Sequence, residues 1–305
     1  FDLKEANSDP AKRGVTNNAL VRYNWIEDVS RANEENSNEI CFGVSTTIAN
    51  HVPNNNVNCQ AYGNVFVGGW INGIGGDAMG EPSGGAGDPW LVANNLVLDT
   101  GQSAYPYTRH GGFYAYHSSS FPWDLGYHFY NQIFAESHNA HVRIGGNDGF
   151  DGRQTIDYTL YDAQGTSKWA CPLGSYSTLA AWQSATGKDQ HSPAPANPQF
   201  VNRAAGDYHL QWNSPAIDAG YAWWGSADMV DYDGNPIYGA PDIGPFEHQP
   251  PCVMGDDPLT VGREVRVYGD GAYRWLDGDG IQQADVTVVP WTGWGTSGSQ
   301  EARPF

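Results

Sequence analysis

Five short segments of one pattern recur through the first half of the chain: Asn24-Trp25-Ile26-Glu27-Asp28, Asn64-Val65-Phe66-Val67-Gly68, Asn95-Leu96-Val97-Leu98-Asp99, Asn131-Gln132-Ile133-Phe134-Ala135 and Tyr158-Thr159-Leu160-Tyr161-Asp162. Each is a polar residue, an outward residue, an apolar residue and a turn, and successive copies begin 40, 31, 36 and 27 residues apart. Self-similarity at spacings of about 20–50 residues marks stacked repeats, and units this short and β-rich predict a parallel β-solenoid. Equivalent residues of neighbouring coils would then lie about 4.8 Å apart. An Asn at the bend tolerates unusual backbone angles and can pair its amide with the coils on either side. The expected column is Asn24, Asn64, Asn95 and Asn131, ending at Tyr158, and the expected interior row is Ile26, Phe66, Val97, Ile133 and Leu160. The competing reading is chance recurrence of Asn-x-apolar triplets in an Asn-rich chain.

Composition narrows the partners. A chain of 305 residues that is 40% hydrophobic can bury a core, and 38 Gly, 12 Trp and only three Met suit a β-rich protein with many turns. The formal charge of −19 argues against nucleic acid and anionic membranes. It also weighs against a polyanionic substrate, unless a local basic groove or bound calcium reverses the sign. No run of 18 apolar residues occurs, so no membrane span is expected. Phe1-Asp2-Leu3-Lys4 does not read as a start of translation, so a processed product or a fragment is expected. The four cysteines allow three complete pairings. In a secreted chain Cys41–Cys59 and Cys171–Cys252 are the expected bonds; four reduced thiols are the alternative.

In chain order, residues 1–48 open on strand-like material with no capping helix, which would leave an open first coil able to pair with another chain. Residues 68–89 are glycine-rich, but no GK[ST] follows, so they read as an insertion between coils. Residues 103–125 form a second excursion, dense in Tyr, His, Phe and Trp. Long loops on one flank of a rigid scaffold are where a site is built.

The segment 179–247 changes character. It reads Trp182…Thr186-Gly187-Lys188-Asp189-Gln190-His191-Ser192, then Asp207-Tyr208-His209-Leu210, Ser214-Pro215-Ala216-Ile217-Asp218-Ala219-Gly220, and Asp231-Tyr232-Asp233-Gly234…Pro241-Asp242-Ile243-Gly244-Pro245-Phe246-Glu247. This succession resembles the closing coils of secreted right-handed parallel β-helix proteins of the pectate-lyase-like superfamily. It departs from their pattern at Ile237-Tyr238, where an Arg is usual, and at Pro245, where Ala is usual. The resemblance implies an all-β, right-handed parallel β-helix over 1–249, with long loops on one flank, and an extracellular or cell-surface location. It says little about activity, because proteins of many functions share this ending. Within the segment, Ser214-Pro215 is expected to fix a turn, Ile217 to point inward and Gly220 to take a positive φ. Asp218 and Asp242 are expected to accept backbone amides where the coil closes.

Residues 250–305 are expected to form a small β-rich appendix, with alternating runs at 259–268 and 284–290. Between them Asp277, Asp279 and Asp285 flank Gly280, a partial likeness to a thrombospondin-type-3 or dockerin calcium loop. Calcium is therefore one expectation, and an Asp-Gly hairpin turn is the other.

Candidate chemistry centres on the aromatic loop. Arg109, His110, His117 and His128 lie in or beside it, with His138, His141, Arg143 and Lys168 as neighbours along the coils. In proteins it resembles, a Lys, Arg or His abstracts the proton next to a uronate, which gives Arg109, His110, His117, His128 and Lys168 their expected catalytic role. In resembling glycosidases two carboxylates flank the bond, and Asp148 and Asp151 are the nearest pair. Trp90, Tyr107, Tyr114 and Trp123 offer ring faces for sugar C–H groups. Trp182, Trp212, Trp223 and Trp224 read as packing. Two functions stay open. One is an extracellular carbohydrate-active protein, whether lyase, hydrolase or glycan binder. The other is a structural or adhesive module that self-associates end to end through its open first coil.

Overall fold

The structure, a computed structural model, describes residues 2–4, 19–27, 40–45, 60–69, 72–77, 90–101, 111–116, 127–145, 154–224, 229–249, 264–267, 273–276 and 282–285. It is mostly β with parallel sheets. The first circuit of the chain lays down β1 (Asp2–Lys4), β2 (Leu20–Arg22) and β3 (Trp25–Glu27), and the second β4 (Ile40–Ser45), β5 (Gln60–Tyr62) and β6 (Val65–Val67). The third gives β7 (Asn72–Asp77), β8 (Trp90–Ala93) and β9 (Leu96–Leu98), and the fourth β10 (Gly111–Tyr116), β11 (Tyr127–Tyr130) and β12 (Ile133–Ala135). The fifth gives β13 (Ala140–Gly145), β14 (Gln154–Asp157) and β15 (Leu160–Tyr161), before β16 (Trp169–Cys171) and β17 (Gly174–Tyr176). Every third strand joins the same sheet: β1-β4-β7-β10-β13-β16-β17 is sheet A, β14-β11-β8-β5-β2 sheet C and β15-β12-β9-β6-β3 sheet D. All neighbours in these sheets are parallel except β16 and β17. Parallel pairing needs long crossovers, which explains repeats of some 30 residues rather than hairpins.

Two residues turn the chain from sheet C to sheet D, and there lies the polar column. The register Trp25↔Val65, Val65↔Leu96, Leu96↔Ile133 and Ile133↔Leu160 makes its members Asn24, Asn64, Asn95, Gln132 and Thr159. Nδ2 of Asn24, Asn64 and Asn95 donates to the next carboxamide oxygen at 2.9, 2.9 and 3.1 Å. The amides of the column also satisfy strand-end carbonyls, such as Asn64 to Tyr62 O and Gln132 to Tyr130 O. The expected column is therefore correct for three circuits and one residue off in the last two. Asn131 and Tyr158 belong instead to a neighbouring column of left-handed residues, Tyr23, Gly63, Asn94, Asn131 and Tyr158. Asn stands at both corner positions of the third circuit, and the pattern alone did not distinguish them. A slip of one residue exchanges the faces of a strand. The interior row is accordingly Ile26, Phe66, Val97, Phe134 and Tyr161, while Ile133 and Leu160 face outward.

One core is shared by the three sheets and includes Phe66, Phe113, Phe129, Phe134, Tyr161 and Trp169. Gly112 is needed there: a Cβ would stand 2.5 Å from Phe134 Cδ1. The core is closed by α1 (Leu179–Thr186), capped by Thr178 Oγ1 on Ala181 N at 3.2 Å and ended by Gly187 at φ 69°. Its Leu179 and Trp182 enter the core. A second cluster covers the outer face of sheet D, where Val65, Leu96, Leu98, Ile133 and Leu160 meet Leu210, Ala216, Ile243 and Phe246. Those partners come from β18 (Phe200–Asn202), β19 (Asp207–Leu210) and the chain to 249, so the closing segment is a cover for one sheet. Asp242 accepts from Asp218 N and His248 N at 2.7 and 2.6 Å, as expected of a closing residue. Asp218 itself holds the positive φ, 53°, and Gly220 does not; a Cβ on Gly220 would meet Pro241 O at 2.7 Å.

Cys171 is a free, half-buried thiol and not half of a disulfide with Cys252; Cys59 and Cys252 and the side chain of Cys41 lie outside the described residues. Among the described residues β1, β2 and β3 are the outermost strands of their sheets. Beyond residue 250, β20 (Glu264–Val267), β21 (Tyr273–Leu276) and β22 (Gln282–Asp285) form an antiparallel sheet.

Candidate functional site

Sheet C differs from sheet D in that its outer face carries polar and aromatic side chains. In β11 Tyr127 and Phe129 point into the core, which turns His128 and Tyr130 outward. In β14 Ile156 points in, and Thr155 and Asp157 share the outer face. His128 Nδ1 lies 3.0 Å from Thr155 Oγ1. Burial, with the charge of Lys188 added, lowers the His128 pKa, so this ring is neutral near pH 7.

Rings continue from His128 in an unbroken chain. His128 is 5.8 Å from Tyr130, Tyr130 is 5.0 Å from Tyr221, Tyr221 is 5.3 Å from Tyr158, and Tyr158 is 5.0 Å from His191, the last pair stacked at 11°. Tyr158 reaches this position because it is the left-handed corner residue of the fifth circuit. Tyr221 reaches it because its backbone amide donates to Asn131 Oδ1 at 2.7 Å, while its carbonyl accepts from Asn131 Nδ2 at 2.9 Å. Trp223, two residues on, donates to Asn94 Oδ1 at 2.7 Å and meets Tyr62 edge-on. The closing segment thus sews its own aromatics to the asparagine corner.

Asp157 and His191 form the polar end of this chain. The carboxylate accepts Tyr158 N at 2.9 Å and His191 N at 2.8 Å through Oδ1, and Oδ2 lies 2.7 Å from His191 Nδ1. An ionised carboxylate only accepts, so Nδ1 carries the proton and the lone pair of the neutral ring sits on Nε2. The His191 side chain is 62% exposed and that of Asp157 15%, so the ring faces solvent from a shielded anchor. The turn bearing His191 is held from beneath. Asp189, fully buried, accepts Tyr161 Oη at 2.9 Å, Trp182 Nε1 at 2.7 Å and Ser192 Oγ at 2.6 Å. Burial outweighs these three donors and raises its pKa to about 7. Ser192 Oγ also takes Thr159 N at 2.8 Å, in the place a further carboxamide would occupy. Arrangements of this kind present ring faces for an apolar surface and edge groups that exchange hydrogen bonds or a proton.

Of the expected catalytic residues that are described, His128 lies on this face and Lys168 does not. Lys168 stands at the turn from sheet D to sheet A, where its ammonium donates to Ser137 O and burial lowers its pKa. His141 is fully buried against Tyr161 and Trp169, and burial drives its pKa to about 3. Tyr114 is buried beside Arg143 and offers no face to a sugar. Arg109, His110, His117, Tyr107, Trp123, Asp148, Asp151, Asp277 and Asp279, with the side chains of Trp90 and Asp285, lie outside the described residues. Among the described residues no three His, Cys, Asp or Glu side chains stand together as a metal site would need, and no helix is long and apolar enough to cross a membrane.

Tyr130, Asp157, Tyr158, His191 and Tyr221 are the members that sequence reasoning missed. Asp157 and Tyr158 were available from the repeat, since they occupy the positions of Tyr130 and Asn131 one circuit on. His191 lay in a segment read as structural, and the Tyr221 ring carries no local signal, because its ring partners Tyr158 and Tyr130 are 63 and 91 residues away. Comparison of the chain with family models, with curated proteins and with solved structures finds no match.

Proposed function

We propose that the chain is an extracellular right-handed parallel β-helix protein that binds a glycan on the outer face of sheet C, between His128 and His191. The observation that carries this reading is the run of rings His128, Tyr130, Tyr221, Tyr158 and His191, set on a rigid sheet and ending in an Asp-anchored histidine. Tyr221, 43% exposed, supplies an open ring, and Tyr and His edges supply donors and acceptors for hydroxyls. Lys188 and His128 place positive or neutral groups on this face of an acidic chain, so an acidic sugar is admitted here. If the site is also catalytic, His191 Nε2 is the base and Asp157 orients it.

The test is a panel of neutral and uronic-acid oligosaccharides, read by a glycan array and then by calorimetry. Binding that disappears in Tyr221→Ala supports the reading, and a blank panel, or binding that Tyr221→Ala leaves intact, removes it. Ultraviolet absorbance of unsaturated products across the bound members separates a lyase from a binder.

A second reading, end-to-end self-association, is favoured by one observation: among the described residues β1, β2 and β3 pair on one side only. Concentration-dependent growth in light scattering would support it, and a monomer at every concentration would exclude it. Calcium in the appendix stands as a separate proposal resting on Asp277, Asp279 and Asp285, tested by calorimetry with Ca²⁺.

A further inference from the structure

Residues 229–249 lie over sheet D, away from the proposed glycan face, and are fastened by a histidine that the reading above does not use. His209, on β19, stands between two carboxylates: Nδ1 is 2.6 Å from Asp207 Oδ1 and Nε2 is 2.6 Å from Asp233 Oδ2. A carboxylate only accepts hydrogen bonds and a neutral imidazole has one N–H, so both contacts are made together only by the imidazolium. Asp233 belongs to the turn at 231–235, in which Asp231 Oδ1 accepts the amides of Asp233 and Asn235 at 3.0 and 2.7 Å. The His209 ring also lies on Phe246, centroids 4.4 Å apart, so one side chain grips both arms of the segment. We propose that His209 is a protonation-dependent latch that holds residues 229–249 on the outer face of sheet D, closed in acid and loosened as pH rises through neutrality.

The surrounding groups act in the same direction. Burial works against a charged His209, but the hydrogen bonds and charges of Asp233 and Asp207 outweigh it and raise its pKa. A histidine with a raised folded pKa contributes fully below its ordinary value, and that contribution is lost as pH rises through the folded value. β18 brings no titratable side chain, and Arg203 beyond it is engaged by Glu136. From the covering segment come Asp231, Asp233, Asp242, Glu247 and His248. Asp231 accepts backbone amides, as do the buried Asp242 and Glu247. Burial first, then the charge of Glu247, raises Asp242 to about 7; burial first, with Asp231 adding to it, raises Glu247 to about 7. Burial lowers His248. Raising the pH therefore removes the proton that closes the latch while it charges the carboxyls beneath.

The experiment is amide hydrogen exchange of the whole chain at about pH 5.5 and about pH 8, corrected for intrinsic exchange. Peptides within 229–236 are expected to open severalfold more at the higher pH, because the proton that closes the latch is lost across that interval. His209→Gln and Asp233→Asn should each abolish that ratio there while leaving the response of 241–249, which reports Asp242 and Glu247. The imidazole nitrogen shifts of His209 give an independent reading: both nitrogens should be protonated at about pH 5.5, and one should lose its proton as the pH is raised to about 8. A ratio in 229–236 that survives His209→Gln, no ratio in the unmodified chain, or a neutral His209 ring at about pH 5.5 would each overturn the latch.

Discussion

Sheets C and D are laid down by adjacent strands two residues apart, on the same circuits and over the same core, yet they end in opposite environments. The outward residues of sheet D from its second circuit on include Val65, Leu96, Leu98, Ile133 and Leu160, all buried in the cluster with the closing segment, whereas Trp25 and Glu27 on the outermost strand are exposed. Those of sheet C include Leu91, His128, Tyr130, Thr155 and Asp157, which remain partly open, beside Tyr62 and Ala93, which are buried. Strands buried on both faces read as unbroken apolar runs and strands buried on one face alternate. Leu96-Val97-Leu98 against Tyr127-His128-Phe129-Tyr130 is that difference in the sequence itself. The side a parallel sheet leaves open can therefore be located before its cover is known.

The comparison breaks first at Leu96. Leu96→Ala removes an outward side chain on sheet D and should cost about 2–5 kcal/mol in chemical denaturation. A loss below about 0.5 kcal/mol, the range for an open surface, would mean sheet D is not covered. Asn95→Ala should come next, at about 1–3 kcal/mol, since it orphans Asn64 N and the Ala61 carbonyl at the corner both sheets share. The pH response follows. Asp189, Asp242 and Glu247 have ordinary values of 3.8, 3.8 and 4.5 and are each raised to about 7, so the folded chain holds more protons than the unfolded one in that window. Stability should therefore fall as pH rises from about 4 to about 7, and Asp189→Asn should flatten the pH profile of the unfolding free energy, measured by denaturant, by an amount on the order of a few kcal/mol. Smallest is the open face itself. His128→Ala and Tyr221→Ala should change stability by about 1 kcal/mol or less, while Tyr221→Ala abolishes glycan binding.

Much of this organisation is legible in the sequence, and the misses have physical causes. The repeated polar-apolar units announce parallel stacked strands because each circuit must bury one residue and turn at the next. The repeat does not fix register where two carboxamides sit side by side. Asn94-Asn95 and Asn131-Gln132 offer the same chemistry at both corner positions, so counting asparagines selected Asn131 where the backbone pairing selects Gln132. The resemblance in 179–247 anticipated a closing segment, and Asp242 serves as expected. It did not anticipate that His191 would be delivered to Asp157, or Tyr221 to Tyr158, because those contacts join circuits to cover across long stretches of chain. Local pattern records what each strand buries and not what arrives from elsewhere.

Which residues face outward on each sheet depends on the register of the corner, and a double-mutant cycle measures that register most directly. Asn95→Ala and Gln132→Ala, singly and together, are compared with Asn95→Ala and Asn131→Ala by denaturant unfolding. The expected result is a coupling of about 0.5–3 kcal/mol for Asn95 with Gln132, whose amides touch at 3.1 Å, and near-additivity for Asn95 with Asn131. Coupling of Asn95 to Asn131 with none to Gln132 would shift the last circuits by one residue, turn Ile133 inward, and remove both the covered face and the open one.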